Sequence, residues 1–145
     1  MRRSLLTVTL AALAASALLA SRTVGASITT LGSASFAAPH GEGWGTAHPA
    51  KIYNGGDPSG LVKEIQWTSW GGRTATGYGL GWIFKPGGGY YGRPVLVELR
   101  AQGLGHCGSQ PAYTQLAVRA PEKPEASLGA WQLWSDAKTL CHADY

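Results

Sequence analysis

The feature that most constrains the fold is a run of alternating glycines in residues 74–84. In a β-strand, successive side chains point to opposite faces. One face then holds Ala75, Gly77, Gly79 and Gly81, and the other holds Thr76, Tyr78, Leu80, Trp82 and Phe84. Glycine weakens a strand and is kept where another group must approach the backbone closely. We expect that group to be the indole ring of Trp67.

A second strand precedes this run and predicts a hairpin. Residues 61–70 alternate, and the Gly71-Gly72 pair accepts the positive φ that a two-residue hairpin turn needs. Strict alternation predicts a core face of Leu61, Lys63, Ile65, Trp67 and Ser69, and a solvent face of Val62, Glu64, Gln66, Thr68 and Trp70.

Three more strands are predicted at residues 51–53, 94–102 and 112–119. The second has the clearest alternation, with Val95, Val97, Leu99 and Ala101 facing inward. Residues 103–111 read as a loop. Residues 27–49 are rich in Gly, Ala, Ser, Thr and Pro, so we expect a flexible N-terminal segment with one short strand at 35–37.

The C-terminal residues allow two interpretations. Apolar residues follow helical spacing after a capping Ser127, at Ala130, Leu133, Trp134, Ala137, Leu140 and Cys141. Residues 131–133 fit a sheet edge equally, and Gly129 lowers helix propensity. We expect a short helix. The predicted fold class is mainly β: a small antiparallel β-sandwich or barrel-like domain over residues 50–145, with one disulfide.

The first 26 residues have the pattern of a secretory signal peptide. Arg2 and Arg3 precede an uncharged apolar run, and small residues lead to a cleavage point after Ala26. Its removal takes three arginines, which leaves nine basic and eight acidic residues and a net charge of +1. No basic stripe remains, so we expect neither nucleic acid nor a membrane surface as a partner. The predicted localisation is secreted.

Cys107 and Cys141 are the two cysteines of the chain. An exported protein enters an oxidising compartment, where an even number of cysteines predicts pairing. The alternative is a nucleophilic thiol, prompted by His106 beside Cys107. Neighbouring residues of an extended chain rarely face one another, so we expect a disulfide.

The hairpin also carries a family resemblance. Ile65, Trp67, Trp70 and Gly71 are followed by Ala75, Gly77 and Gly79, a Val-rich strand, Cys107, the sequence Pro111-Ala112-Tyr113 and a last cysteine. Across residues 61–141 this pattern resembles small secreted proteins of actinobacteria. The resemblance implies export and a compact β domain, and it implies no reaction.

The candidate ligand-binding residues are aromatic: Tyr78, Trp82, Phe84, Tyr90 and Tyr91. If the large face of the glycine-rich strand is exposed, it forms a platform for sugar rings or a protein partner. Aromatic residues in strands usually belong to the core, so burial of this face is the competing interpretation. We predict a secreted, non-catalytic binding domain, associated with the cell wall or with carbohydrate.

The alternative function is a small secreted hydrolase. Glu64 and Glu98 are both predicted to face outward and are the candidate acid pair, although outward acids are usually solvated surface. His40, Glu42 and His48 flank Trp44 among glycines, which give a metal no fixed geometry. The glycine run lacks the following helix and Gly-Lys-Ser/Thr of a nucleotide loop, so no cofactor is expected.

Overall fold

The computed structural model describes residues 26–143, so all of the predicted signal peptide except Ala26 lies outside the described residues. One sheet of seven strands curls into a half-barrel, which confirms the barrel-like β prediction. The strands are β1 (Thr30–Leu31), β2 (Ile52–Tyr53), β3 (Leu61–Trp67), β4 (Ala75–Gly81), β5 (Val95–Cys107), β6 (Gln110–Arg119) and β7 (Gln132–Leu133).

The sheet is antiparallel except at one edge. Its order is β1-β6-β5-β4-β3-β2, and β7 pairs with β6 beyond the short parallel strand β1. The predicted inward residues of β5 are all buried: Val95, Val97, Leu99 and Ala101. Their alternation with outward residues therefore fixes which face of the sheet covers the core.

A bulge in β3 overturns the strict alternation predicted there. The register with β4 shifts between Lys63 and Gln66, and Glu64 has a φ of 55°. A bulge adds one residue to a strand and changes the phase of its side chains. Val62 and Ile65 consequently both face the core, although alternation places them on opposite faces.

The bare face of β4 is the core face. A Cβ built on Gly79 would lie 2.8 Å from Val62 Cγ1 and 2.9 Å from the Lys63 carbonyl oxygen. At Gly77 it would lie 3.0 Å from a ring carbon of Trp67, so the predicted contact of this indole with the glycine face is confirmed. The large side chains of β4 therefore face outward, and the core interpretation of Tyr78 is wrong.

The hairpin connection is longer than the predicted Gly71-Gly72 turn. Residues 68–74 join β3 to β4, and Trp70 folds back from them toward the core. Its ring centroid lies 5.3 Å from that of Tyr113, and its indole N–H donates to the Thr29 carbonyl. Packing the apolar surface of this ring against the core stabilises the fold more than a tight two-residue turn would.

The N-terminal segment contributes to the core, whereas a flexible segment was expected over residues 27–49. Thr30 and Leu31 pair with Ala112 and Tyr113 of β6. Residues Ala34–Ala37 form a 3-10 helix where a strand was expected, and its Phe36 packs 4.7 Å from the ring of Trp44. The apolar residues of this segment recur at neither the spacing of a strand nor that of a helix. Their place in the core therefore could not be predicted from the sequence.

The predicted loop at 103–111 is the end of a long hairpin. Strands β5 and β6 stay paired as far as Cys107 and Gln110. The disulfide between Cys107 and Cys141 is confirmed, and it joins the tip of this hairpin to the C-terminal segment.

The predicted C-terminal helix is wrong. Residues 127–141 contain β7 and the 3-10 helix Trp134–Asp136, and the structure has no α-helix within residues 26–143. Trp134 is buried in the core, whereas Trp131 lies against Arg100 on the outer face of the sheet. A helix would put these two rings, three residues apart, on the same side.

We predict that Gly79→Ala destabilises the protein by about 1–3 kcal/mol, because the new methyl group overlaps the backbone and Val62 in a packed core. Gly92→Ala is the matched control, since a Cβ there meets no atom within 4 Å. Urea unfolding of both variants measures the difference. Equal stability of the two would contradict close packing over β4.

Replacing both cysteines by serine should lower the free energy of unfolding by about 3–4 kcal/mol, since the disulfide closes a loop with a sequence separation of 34 residues. Chemical denaturation of this variant and of the oxidised protein measures the loss. Reduction of the wild type should reproduce it, and an unchanged midpoint after reduction would refute the prediction.

Candidate functional site

The outer face of the sheet carries side chains in cross-strand rows. One row runs from Gln66 through Tyr78 and Glu98 to Arg119, across strands β3 to β6. In the neighbouring row, Thr76 lies opposite Arg100. Directly opposed residues have Cβ atoms about 4.5–5.5 Å apart, so each row forms one continuous surface.

An open groove of about 420 Å³ lies on this face, between Tyr78 and Trp131. Tyr78 projects from β4 and is 45% exposed. Trp131 comes from the segment before β7 and lies over β5 and β6. The groove, which we call the outer groove, is lined by Thr68, Thr76, Gly77, Tyr78, Leu96, Glu98, Leu99 and Trp131.

Arginines fix the position of Trp131 and of the acid beside it. The guanidinium carbons of Arg100 and Arg119 lie 4.5 and 4.6 Å from the Trp131 ring centroid. Arg119 also donates from Nε to one oxygen of Glu98 at 2.6 Å, and its Nη2 forms an ion pair with the same oxygen at 2.5 Å. Such paired, charge-assisted contacts hold both side chains in one orientation.

Hydroxyl groups form the end of the outer groove near the hairpin connection. The hydroxyl oxygens of Thr68 and Thr76 lie 2.9 Å apart, and the Ser69 hydroxyl lies 3.1 Å from that of Thr76. Hydroxyls both donate and accept hydrogen bonds. The groove therefore combines two aromatic rings, apolar leucine surface, hydroxyls and one carboxylate.

The five aromatic residues predicted as one platform lie in three places, the third being Tyr91 beside Glu125. Tyr78 lines the outer groove. Trp82, Phe84 and Tyr90 form a separate cluster, in which the rings of Phe84 and Tyr90 stack with centroids 4.4 Å apart. Phe84 is 50% exposed and borders a cleft of about 320 Å³, at the end of the half-barrel where β4 and β6 finish.

Tyr90 and Tyr91 make intramolecular contacts through their hydroxyl groups. Tyr90 donates to Asp57 over 3.2 Å. Hydrogen bonds from the Ser59 hydroxyl and backbone, and then from Tyr90, lower the pKa of Asp57. Tyr91 donates to Glu125, and the Lys123 amino group lies 4.6 Å from its ring centroid. These contacts fasten the loop after β4 to neighbouring loops.

The candidate metal and acid residues have other contacts. Glu42 forms an ion pair of 2.7 Å with Lys51, and His48 packs against Trp70 with ring centroids 4.6 Å apart. Within residues 26–143 no group of three or more His, Cys, Asp or Glu side chains is arranged to hold a metal ion. Glu64 lies in the β3 bulge beside Lys63, whereas Glu98 lies two strands away in β5.

Trp131 and Arg100 were missed as site residues from the sequence. Neither interpretation of residues 127–141, as a helix or as a sheet edge, predicts that Trp131 lies on the outer face. The sequence does show that Leu96, Glu98 and Arg100 alternate outward along β5. Their respective partners on β4 are Leu80, Tyr78 and Thr76. What the sequence did not show is that the C-terminal segment crosses this face.

Comparisons of the chain with known protein families, with curated proteins and with solved structures find no match. The resemblance to small secreted actinobacterial proteins therefore stays a prediction from the hairpin residues.

Tyr91→Phe should raise the pKa of Glu125, because the hydrogen bond from the Tyr91 hydroxyl is the first cause of its lowered value. A carboxylate with a lowered pKa stabilises the fold above its ordinary pKa of 4.5, and this contribution is lost as the pH falls through the lowered value. NMR titration of the Glu125 carboxyl carbon measures the shift.

The matched control is Tyr90→Phe, which removes a hydroxyl from Asp57 in the same loop. It should raise the pKa of Asp57 and leave that of Glu125 unchanged. Identical Glu125 titration in the wild type and in Tyr91→Phe would show that the two side chains do not meet in solution.

Proposed function

We propose that this protein is a secreted, non-catalytic binding domain that holds a carbohydrate in the outer groove. The observation that carries the proposal is the pairing of two aromatic rings, Tyr78 and Trp131, across a groove lined with hydroxyls and a carboxylate. A sugar ring has apolar C–H faces and a polar rim. Aromatic faces suit the first, and convergent polar groups suit the second.

The groove is built before any ligand arrives. Trp131 is held by Arg100 and Arg119, and Arg119 is held by Glu98. A ring that is already positioned loses little conformational entropy on binding, so more of the contact energy contributes to affinity. This preorganisation supports binding through the outer groove.

Binding is favoured over hydrolysis by the number of acids in the groove. Glycoside hydrolysis by two carboxylates requires a pair about 5–10 Å apart on either side of the scissile bond. In the described part of the chain, Glu98 is the one carboxylate that lines the groove, and Arg119 already donates to it. This arrangement supports a site that holds its ligand unchanged.

Secretion is part of the proposal. The signal-peptide pattern of the first 26 residues predicts it, and the Cys107–Cys141 disulfide is compatible with an extracellular protein. Within residues 26–143, no helix has the length and apolar character needed to cross a membrane. We further propose that the protein belongs with the small secreted actinobacterial proteins that its hairpin resembles.

Trp131→Ala and Tyr78→Ala should each weaken carbohydrate binding at least tenfold, because each removes one aromatic wall of the groove. Retention on insoluble cell-wall polysaccharides selects the sugar, and calorimetry with its oligosaccharide then gives the affinity. Both residues are partly exposed, so circular dichroism should remain native.

Phe84→Ala is the control, since it removes an exposed ring from the other aromatic cluster. It should bind as the wild type does. Loss of binding in Phe84→Ala with full binding in Trp131→Ala would move the site to the cluster of Trp82, Phe84 and Tyr90. Absence of retention on every polysaccharide would refute carbohydrate binding altogether.

A further inference from the structure

We propose that the outer groove selects sugars that carry a carboxylate group, and that Arg100 recognises this carboxylate. The inference rests on the carbohydrate-binding function proposed above and specifies the class of sugar. Its support is the balance of charged side chains near Trp131, where two arginines accompany one carboxylate.

The first two charges neutralise each other. Arg119 places two guanidinium nitrogens 2.5 and 2.6 Å from a single oxygen of Glu98. This close pair contributes no net charge to the groove. Its role is to hold Glu98 and Trp131, because the Arg119 guanidinium also lies 4.6 Å from the Trp131 ring centroid.

Arg100 is the second arginine beside Trp131, and its charge is not neutralised by a carboxylate among the described residues. Its Nε donates to the Gln102 amide oxygen at 3.0 Å, and its guanidinium lies 4.5 Å from the Trp131 ring centroid. Among the described residues no carboxylate forms an ion pair with it. A guanidinium has five N–H donors, so four remain after the bond to Gln102.

Arg100 is also in the right place. It lies directly opposite Thr76, which lines the groove, and it is two residues from Glu98 on the same face of β5. The contact with the indole, together with the bond to Gln102, restrains the guanidinium. A planar guanidinium binds a carboxylate through two parallel hydrogen bonds. A carboxylate on a sugar held between Tyr78 and Trp131 would meet these donors.

The balance of charge favours a monoanion. One uncompensated positive charge matches one carboxylate. A doubly charged phosphate would carry a second negative charge that Arg100 does not balance. The matching chemistry is a pyranose with one carboxylate, found either in uronic acids or in the lactyl group of muramic acid.

The experiment compares acidic sugars with neutral partners that have the same number of rings. The first pair is tetragalacturonate and its methyl ester, in which the rings are the same and the charge is removed. The second pair is the disaccharide of N-acetylglucosamine and N-acetylmuramic acid, with chitobiose as its neutral partner. Calorimetry at low salt gives the four affinities for the wild type, Arg100→Gln, Lys85→Gln and Trp131→Ala.

We expect the wild type to bind the acid of at least one pair at least tenfold more tightly than its neutral partner, with the preference reduced by added salt. Arg100→Gln should abolish the preference by weakening the acid at least tenfold, while the neutral partner loses less affinity because Arg119 still contacts the Trp131 ring. Lys85→Gln removes the same charge from the exposed loop after β4 and should keep the preference. The pair that shows the preference identifies the source of the carboxylate.

Four results would overturn the inference. Equal binding of acid and neutral partner in both pairs removes carboxylate selection but leaves carbohydrate binding intact, provided that Trp131→Ala weakens both. A preference that survives in Arg100→Gln assigns recognition to another residue. Equal loss of acidic and neutral sugars in Arg100→Gln means that Arg100 only positions Trp131. If no sugar binds, the proposed function fails together with the inference.

Discussion

The structure depends on hydrogen bonds from buried and partly buried tryptophans to acceptors in the N-terminal part of the chain. An indole N–H withdrawn from water must find an acceptor, and an unpaired one costs about 1–3 kcal/mol. Four of the six indoles meet this need between residues 29 and 54. Trp70 donates to Thr29, Trp67 to Pro49, Trp44 to Tyr53 and Trp134 to the Asn54 side chain. The bonds from Trp67, Trp70 and Trp134 tie residues 29–54 to the rest of the domain, and the bond from Trp44 closes that segment on itself.

The volume of these rings explains the asymmetry of β4. A half-barrel has limited interior space, and the indole of Trp67 and the bulged pair Val62 and Ile65 already occupy it next to β4. Glycine is the residue that leaves room for them. The large side chains of β4 then project outward, where Tyr78 forms one wall of the groove. The interior packing and the surface site thus follow from the same alternation.

Sequence patterns predicted the parts of the fold that have a regular period. The alternation in β5 identified its inward residues, and the bare face of β4 was recognised together with its neighbour Trp67. Which face of β4 is buried could not be predicted, because it depends on the pairing register with β5, which places Gly77, Gly79 and Gly81 opposite the buried side chains of that strand. Tyr78 was the one groove residue proposed as a ligand contact. Trp131 was missed because its place is set by a distant pairing between β6 and β7.

The parallel pairing of β1 with β6 sets an order on folding. Thr30 meets Ala112, and the Gly32 and Ser33 amides bond to the carbonyls of Tyr113 and Leu140. The first residues of the domain therefore find their partners only after nearly all of the chain has been made. Contacts this distant in sequence require costly loop closure and slow the search for the native state. Until then the apolar interior of the sheet stays uncovered, so folding of this domain is a late, whole-chain event.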